Sequence, residues 1–226
     1  MSIIKDPSLA RLLAELHERS DEQVADLRTF MQQRDGAGPG PTPEEVKQFV
    51  SDKLVALDRD KACFCYQLCR ATDARRIVEI GTSYGVSTLY LAAALRDNIA
   101  ERGGDGLVIA TEYEPQKAAA ASAHFDKAGL SGHIELRKGD LRETLLNIEG
   151  PIDFLLVDIW INMARPALEL VTPHLRAGAV VICDNTDLHR NDYADYFAFL
   201  NDPANGFQTM TLPFQGGLEM SVRRRR

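Results

Sequence analysis

The chain has 226 residues, of which 45% are hydrophobic and 26% are charged, a composition typical of a globular protein and not of a disordered or fibrous one. Its 26 basic and 33 acidic side chains give a formal net charge of −7, which argues against a general binder of nucleic acids or anionic membranes. Apolar runs such as Leu89–Leu95 are far shorter than the roughly 20 residues of a membrane-spanning helix. We therefore expect one domain with a short appendage. The charged N-terminus does not resemble a signal peptide and favours the cytoplasm.

Residues 1–58 predict a helical arm. An apolar stripe at helical spacing begins the chain, and Ser20 opens a capping-box pattern, so the first 35 residues form either one helix or two that meet near Ser20. The Gly/Pro-rich residues 35–43 predict a linker, and Thr42 is placed to cap a further helix. We expect this amphipathic arm to act as a lid or as the contact of a homodimer. The stripe consists of Leu9, Leu12, Leu13 and Leu16.

The four cysteines, at positions 63, 65, 69 and 183, lack the spacing of a disulfide framework. Cys65 and Cys69 would share one helix face, but no histidines accompany them. We predict reduced thiols in the core, with a metal or redox role as the alternative.

Residues 59–226 alternate short apolar runs with helical segments, which predicts an α/β fold with a parallel sheet and right-handed crossovers. The last two runs flank a PFQGG turn and predict an antiparallel hairpin. The final four arginines, 223–226, predict a solvated tail, with a contact to an anion or a partner as the alternative. The predicted strands are 76–80, 107–111, 133–137, 152–157, 179–183, 207–212 and 218–222. The predicted helices between them are 85–95, 115–128, 141–148 and 162–175, with residues 96–106 as a long connection.

Ligands of an open parallel sheet bind beyond the carboxyl ends of its strands, so the residues there are the first candidates for a site. Gly81 and Gly85 follow the first strand and would let the backbone approach a ligand closely. Glu112 ends the second strand, where a carboxylate can accept hydrogen bonds from both hydroxyls of a ribose. Asp140 follows the third and would either cap the next helix or hydrogen-bond an adenine amino group. Together they favour a nucleoside site over a bare tight turn.

A second group of polar residues follows the fourth and fifth strands. Asp158 ends one strand and Asp184-Asn185 end the other, and adjacent strands lie about 4.8 Å apart, so these side chains would converge. An all-oxygen set without His or Cys suits Mg²⁺, and Mn²⁺ or Ca²⁺ as alternatives, rather than Zn²⁺. The other interpretation is that an aspartate caps a helix or pairs with Arg165 or Arg176.

The ordered runs VEIGTSYGVSTLYLA, IATE, FLLVDIW and VVICDNT resemble the cation-dependent, S-adenosylmethionine-dependent O-methyltransferases, whose best-known branches act on catechol and on caffeoyl-CoA. The similarity covers residues 58–222 and leaves the arm without a match. It implies the class I methyltransferase fold: a Rossmann-like, mostly parallel seven-stranded sheet with helices on both faces, whose last strand is inserted antiparallel. It also implies S-adenosylmethionine as cofactor and a divalent cation.

The resemblance implies roles for residues at the first strand. Glu79, Gly81 and Gly85 would shape the pocket for the methionine part of the cofactor. Ser83 and Ser87 would hydrogen-bond its amino and carboxylate groups.

The later strand ends also receive roles from the resemblance. Glu112 would bind the ribose, and Asp140 and Leu141 would lie beside the adenine. Asp158 would approach the cofactor, and Trp160 would lie beside cofactor and acceptor. The other interpretation of Trp160 is a core anchor at the start of a helix.

The resemblance further implies that Asp158, Asp184 and Asn185 are the protein ligands of the cation. The sequence departs from the family at the position three residues after Asp158, where a lysine serves as the base and this chain has Ile161. Activation by the cation would suffice for an acidic hydroxyl, or His189 would act as the base. The candidate catalytic residues are therefore Asp158 and His189.

We expect an enzyme that moves a methyl group to a hydroxyl of a small aromatic vicinal diol, since two adjacent oxygens chelate one cation. The expected partner is a small molecule, and neither nucleic acid nor membrane. The alternatives are a methyltransferase that needs no metal and acts on an amine or an isolated hydroxyl, and a non-catalytic S-adenosylmethionine-binding protein. A nicotinamide-dependent oxidoreductase on a similar sheet is a more distant one.

Overall fold

The structure is a computed structural model that describes residues 3–32 and 42–225 of the chain. The described α-helices are Pro7–Gln32 (α1), Pro43–Val50 (α2), Arg59–Ala71 (α3), Val86–Arg102 (α4), Pro115–Lys127 (α5), Leu141–Thr144 (α6), Ile161–Val171 (α7) and Ala194–Asn201 (α8). The strands are Arg76–Ile80 (β1), Leu107–Glu112 (β2), Ile134–Lys138 (β3), Ile152–Val157 (β4), Leu175–Asp184 (β5), Phe207–Leu212 (β6) and Leu218–Arg223 (β7).

All seven strands form one sheet in the order β3-β2-β1-β4-β5-β7-β6. The first five pair in parallel, and β7 enters antiparallel between β5 and β6. The carboxyl ends of β1, β2, β4 and β5 therefore meet at one edge, where Ile80 lies opposite Val157 and Val157 opposite Cys183. The predicted α/β class, the parallel sheet and the terminal hairpin are confirmed.

Helix α1 is one continuous helix, so of the two interpretations of the first 35 residues the single helix is correct. Ser20 does not begin a second helix, because its hydroxyl oxygen accepts a hydrogen bond from the backbone N–H of Ala56 at 2.9 Å. The apolar stripe of α1 packs into the same core as Leu89 of α4, which is how this chain buries the stripe. The homodimer stays a prediction.

Thr42 caps α2 as predicted, with a reciprocal capping box to Glu45. The predicted linker lies outside the described residues except for Thr42 and Pro43.

Several expectations about element ends are wrong. The predicted helix 141–148 ends at Thr144, and the predicted strand 179–183 begins at Leu175. Residues 96–106 were expected to form a connection, but α4 continues to Arg102, because Asn98 is buried and its side-chain amide donates to the carbonyls of Cys69 and Ala74. The solvated tail expected of the C-terminal arginines is wrong for Arg223, which is buried in β7 with its guanidinium over the Phe207 ring, whereas Arg224 and Arg225 are exposed.

The free cysteines agree with the prediction of reduced thiols, since Cys65, Cys69 and Cys183 are buried and Cys63 is partly buried. Burial raises the pKa of the Cys63 thiol, so it lacks the lowered pKa of a reactive cysteine. Within the described residues, no helix is both long enough and apolar enough to span a membrane.

Candidate active site

In the turn after β1, the backbone of Gly81 packs directly against the backbone of Asp158. Gly81 has φ of +97°, and a Cβ there would overlap the carbonyl oxygen of Asp158. The N–H of Asp158 in turn donates to the carbonyl of Ile80 at 2.9 Å. Only glycine allows β1 and β4 to end this close together, so the turn and the carboxylate of Asp158 share one cleft.

Glu79 is a fully buried carboxylate beneath this turn. Its Oε2 accepts hydrogen bonds from the hydroxyls of Thr82 and Thr88, whereas Oε1 has no hydrogen-bond partner in the described part of the chain. Burial raises the pKa of Glu79 to about 7, although the neighbouring hydroxyls, that of Ser87 most of all, oppose the shift. An unpartnered buried carboxylate oxygen is costly, and it is complementary to a ligand that carries an ammonium group.

Glu112 connects the ends of β2 and β1. Its Oε2 accepts from the N–H of Ser83 at 2.6 Å and its Oε1 from the N–H of Glu114 at 2.7 Å. Ser83 has φ of 50°, a left-handed conformation that non-glycine residues adopt at a cost and that Glu112 helps to hold. Each carboxylate oxygen keeps a free lone pair, so Glu112 remains able to accept from a diol.

A small, partly open cleft lies beside the turn after β1. The turn from Gly81 to Ser87 and Asp158 line one side, and the segment 54–57 lines the other. That segment is attached to α1, because Leu54 N–H donates to Gln23 Oε1 at 2.5 Å and Ala56 N–H to Ser20. The N-terminal arm thus contributes a wall of the candidate site.

Asp140 takes one of its two predicted roles in this structure. It caps α6 by accepting from the N–H of Arg142 at 2.9 Å, and the Arg142 side chain lowers the pKa of the carboxyl to about 2. Leu141 is buried in the core against the sheet. Their placement beside an adenine stays a prediction.

Asp158 and Asp184 lie at the ends of the paired strands β4 and β5, as predicted. Burial raises the pKa of both carboxyls. The charges of Asp184 and Glu79 raise the pKa of Asp158 further, whereas Lys61 opposes the rise at Asp184. The alternative interpretation, in which an aspartate pairs with Arg165 or Arg176, is wrong, since Arg165 pairs with Glu169 and Arg176 with Asp153.

Asn185 joins these carboxylates because of the β6–β7 hairpin. The N–H of Asn185 donates to the carbonyl of Gly217 at 3.1 Å, and a Cβ on Gly216 would come within 2.7 Å of Asn185 Oδ1. With φ of 57°, Asn185 turns back toward Asp184, and its Nδ2 donates to Asp184 Oδ2 at 2.9 Å. The hairpin therefore holds the amide at the edge of the sheet.

Lys61 is the site residue that the sequence analysis missed. It lies in the first turn of α3, is only 2% exposed, and its Nζ donates to Asp184 Oδ1 at 2.5 Å. A lysine is absent from the segment after Asp158, but α3 brings one in from a distant part of the chain. Lys61 lies four residues before Cys65 and therefore on the same helix face as Cys65 and Cys69. A charged residue on a helix face predicted to be buried is the sequence pattern that could have identified it.

The remaining predicted residues lie around the mouth. Trp160 precedes α7 and is 44% exposed, so its interpretation as a core anchor is wrong. Ile161 follows in the first turn of the helix. His189 is half-exposed with its Nδ1 3.7 Å from Asp192 Oδ2, and the described residues show no hydrogen bond from its ring to Asp158 or Asp184.

The donor chemistry fits a hard divalent cation. Two carboxylates and one amide oxygen are offered at one edge, although no described group of three or more His, Cys, Asp or Glu side chains forms a metal cluster. The unpartnered Glu79 oxygen, the close-packed Gly81 turn and the Glu112 carboxylate fit S-adenosylmethionine, which carries an ammonium group and a ribose diol.

The comparisons with known proteins agree with this geometry. A methyltransferase-domain family model matches residues 78–186. The catechol O-methyltransferase of Mycobacterium tuberculosis is 30% identical over 172 residues, which cover 66% of this chain and 75% of that protein. The catechol O-methyltransferase of Niastella koreensis is 29% identical over 139 residues, 58% of each chain. The crystal structure of a Bacillus cereus O-methyltransferase in complex with SAH has a TM-score of 0.67 at 22% identity and covers 88% of this chain and 100% of its own.

The order of the strands and the antiparallel seventh strand are those of a class I, Rossmann-like methyltransferase. Within that class, the chain belongs to the S-adenosylmethionine-dependent O-methyltransferases. The resemblance to S-adenosylmethionine-dependent O-methyltransferases is thereby confirmed, and the oxidoreductase and the non-catalytic protein are set aside.

Proposed function

We propose that the protein methylates a hydroxyl of a small aromatic vicinal diol and that a divalent cation assists the reaction. The observation that carries this proposal is the convergence of Asp158, Asp184 and Asn185 at the edge of the sheet, beside the cleft under Gly81. Two of the similar proteins are catechol O-methyltransferases, which supports a diol as acceptor.

The chain's own residues would bind and orient the two reactants. Glu79 would pair with the ammonium group of S-adenosylmethionine, and Glu112 would bind its ribose. Ser83 and Ser87 would contact the rest of the methionine part. This cofactor supplies an electrophilic methyl group, and the reaction then depends on alignment with the acceptor oxygen.

The acceptor would lie at the exposed side of the carboxylates. Asp158, Asp184 and Asn185 would hold the cation, which lowers the pKa of a hydroxyl beside it. Trp160 offers an exposed aromatic face for a flat acceptor, and Ile161 provides an apolar surface where other family members have their lysine.

We also propose that the arm covers the cofactor. Residues 54–57 line the cleft and are held to α1 through Gln23 and Ser20, so bound cofactor would be enclosed by this segment. Opening of the segment would then precede exchange of the cofactor.

One observation favours a second candidate. Lys61 already places an ammonium group on Asp184, so a methyltransferase that needs no metal and acts on an isolated hydroxyl or an amine also fits this edge.

An acceptor panel assayed with and without chelator distinguishes the two candidates. We expect labelled methyl transfer from S-adenosylmethionine to catechol-type diols in Mg²⁺, at least tenfold slower transfer in EDTA, and little transfer to monophenols or amines. Equal rates in EDTA, or a preference for an amine, would favour the second candidate.

A further inference from the structure

Lys61 contacts two of the three side chains that the proposed function assigns to the cation. Its Nζ lies 2.5 Å from Asp184 Oδ1 and 3.5 Å from Asn185 Oδ1. Lys61 is 2% exposed, so this ammonium group is buried with the carboxylate. The contact is therefore a built part of the site and not a surface ion pair of little energetic weight.

The positive charge of Lys61 offsets the negative charge of the carboxylates at this edge of the sheet. Asp158 and Asp184 end adjacent paired strands; Asp184 is buried, Asp158 is half-buried, and the buried Glu79 lies in the neighbouring strand β1. Buried charges persist when they are paired, and removal of one partner strongly destabilises the other. Among the described residues, Lys61 is the cationic side chain within ion-pair distance of Asp184. Lys61 therefore supplies, in the cation-free protein, the positive charge beside Asp184 that a bound cation would otherwise supply.

Lys61 and a bound cation would compete at Asp184. Oδ1 of Asp184 already accepts a hydrogen bond from Lys61 and Oδ2 accepts one from Asn185, so a cation would have to share these oxygens with both donors. A divalent charge placed beside a fixed ammonium group would also be repelled by it in a medium of low dielectric constant. The flexible four-carbon stem of lysine allows the ammonium group to move away.

We propose that Lys61 is a resident counter-ion that competes with a divalent cation for Asp184 and thereby sets the cation affinity of the site. This inference rests on the proposed cation site. It predicts that the natural chain binds cations more weakly than its oxygen donors alone would, and that removal of this one positive charge tightens binding.

Direct Mn²⁺ titration of the full-length chain, with free Mn²⁺ measured by electron paramagnetic resonance, tests the competition. Lys61→Met keeps the length of the side chain and removes its charge, and we expect its Mn²⁺ dissociation constant to fall at least tenfold. Lys127→Met is the matched control, because Lys127 is an exposed lysine on α5 paired with Glu15. Its constant should stay within twofold of wild type.

A second variant and a second measurement keep the test decisive if Lys61→Met folds poorly. Lys61→Gln removes the charge and retains a donor for Asp184, and it should also bind Mn²⁺ at least fivefold more tightly. Both variants should have a lower melting temperature than wild type in EDTA and a larger rise on addition of Mn²⁺. The combined change Lys61→Met with Asp184→Asn should lose the gain.

The outcomes separate this inference from the proposed function. Equal Mn²⁺ affinity in wild type and both Lys61 variants would overturn the competition and leave the cation site standing. Absence of Mn²⁺ binding in all of them would overturn both. Tighter binding in the Lys61 variants alone, reversed by Asp184→Asn, is the predicted result.

Discussion

Gly81 packs so closely on Asp158 that any side chain at position 81 would overlap the Asp158 carbonyl oxygen. The contact joins the backbone of the turn proposed to bind the cofactor to the backbone of Asp158, which is proposed to hold the cation. We therefore expect a change at Gly81 to affect both proposed sites.

We expect Gly81→Ala to lower the unfolding free energy by about 2 kcal/mol or more, because the new Cβ meets backbone and the φ of +97° is unfavourable for alanine. S-adenosylmethionine affinity, measured by calorimetry, should fall at least tenfold. Gly132→Ala is the control, since a Cβ at Gly132 meets open space. Undiminished cofactor affinity in Gly81→Ala would refute the role given to this turn.

Glu79 should make stability depend on pH. Because its pKa in the folded chain is about 7, above the ordinary value of 4.5, the folded state holds a proton that the unfolded state has lost between these pH values. The contribution of Glu79 is therefore most favourable below pH 4.5 and falls as pH rises through 7, by up to about 3 kcal/mol.

Urea unfolding of cofactor-free wild type and Glu79→Gln at pH 5 and pH 8 measures this effect. The variant should gain stability relative to wild type on going to pH 8, while its affinity for S-adenosylmethionine falls at least tenfold. A difference in stability that does not change with pH would show that Glu79 is not held in this way.

Trp160 is the only tryptophan of the chain and is 44% exposed, two residues after Asp158. Binding of cofactor and acceptor should bury its ring and shift its fluorescence emission to shorter wavelength. Trp160→Phe should remove the signal and raise the KM for the acceptor several-fold with less effect on that for S-adenosylmethionine. If saturating ligands leave the emission unchanged, Trp160 does not lie against them.

The attachment of residues 54–57 to α1 should affect cofactor release. Ser20→Ala and Gln23→Ala each remove the acceptor of one backbone N–H, and a hydrogen bond contributes about 1 kcal/mol. We expect S-adenosylmethionine to dissociate about fivefold faster from each variant in stopped flow. Thr29→Ala, which removes only a bond within α1, should dissociate at the wild-type rate.

The strand ends were predictable from sequence because the period of apolar residues locates each strand and parallel strands end at one edge. Gly81, Glu112, Asp158 and Asp184 follow from that rule, and the structure brings their strand ends together at that edge. Glu79 lies within β1, and its role came from the family resemblance.

Lys61 could not be found in the same way. Its partner Asp184 is 123 residues away, and only the packing of α3 on the sheet brings the two together. Likewise, Ser20 shows a local capping pattern that its tertiary contact with Ala56 overrides, and the end of α4 depends on the buried Asn98. Local sequence patterns thus predicted the helices and strands, whereas contacts between distant parts of the chain determine the positions of Lys61, Ser20 and Asn98.

The central claim is that the edge formed by Asp158, Asp184 and Asn185 activates a hydroxyl with the help of a divalent cation. Its most direct test is the rate of methyl transfer to a catechol-type diol in Mg²⁺ by Asp184→Asn, compared with Asp192→Asn at an exposed carboxylate nearby. We predict at least a hundredfold loss for Asp184→Asn, with S-adenosylmethionine affinity within threefold of wild type, and a near-normal rate for Asp192→Asn. Full activity of Asp184→Asn, or of wild type in EDTA, would contradict the claim.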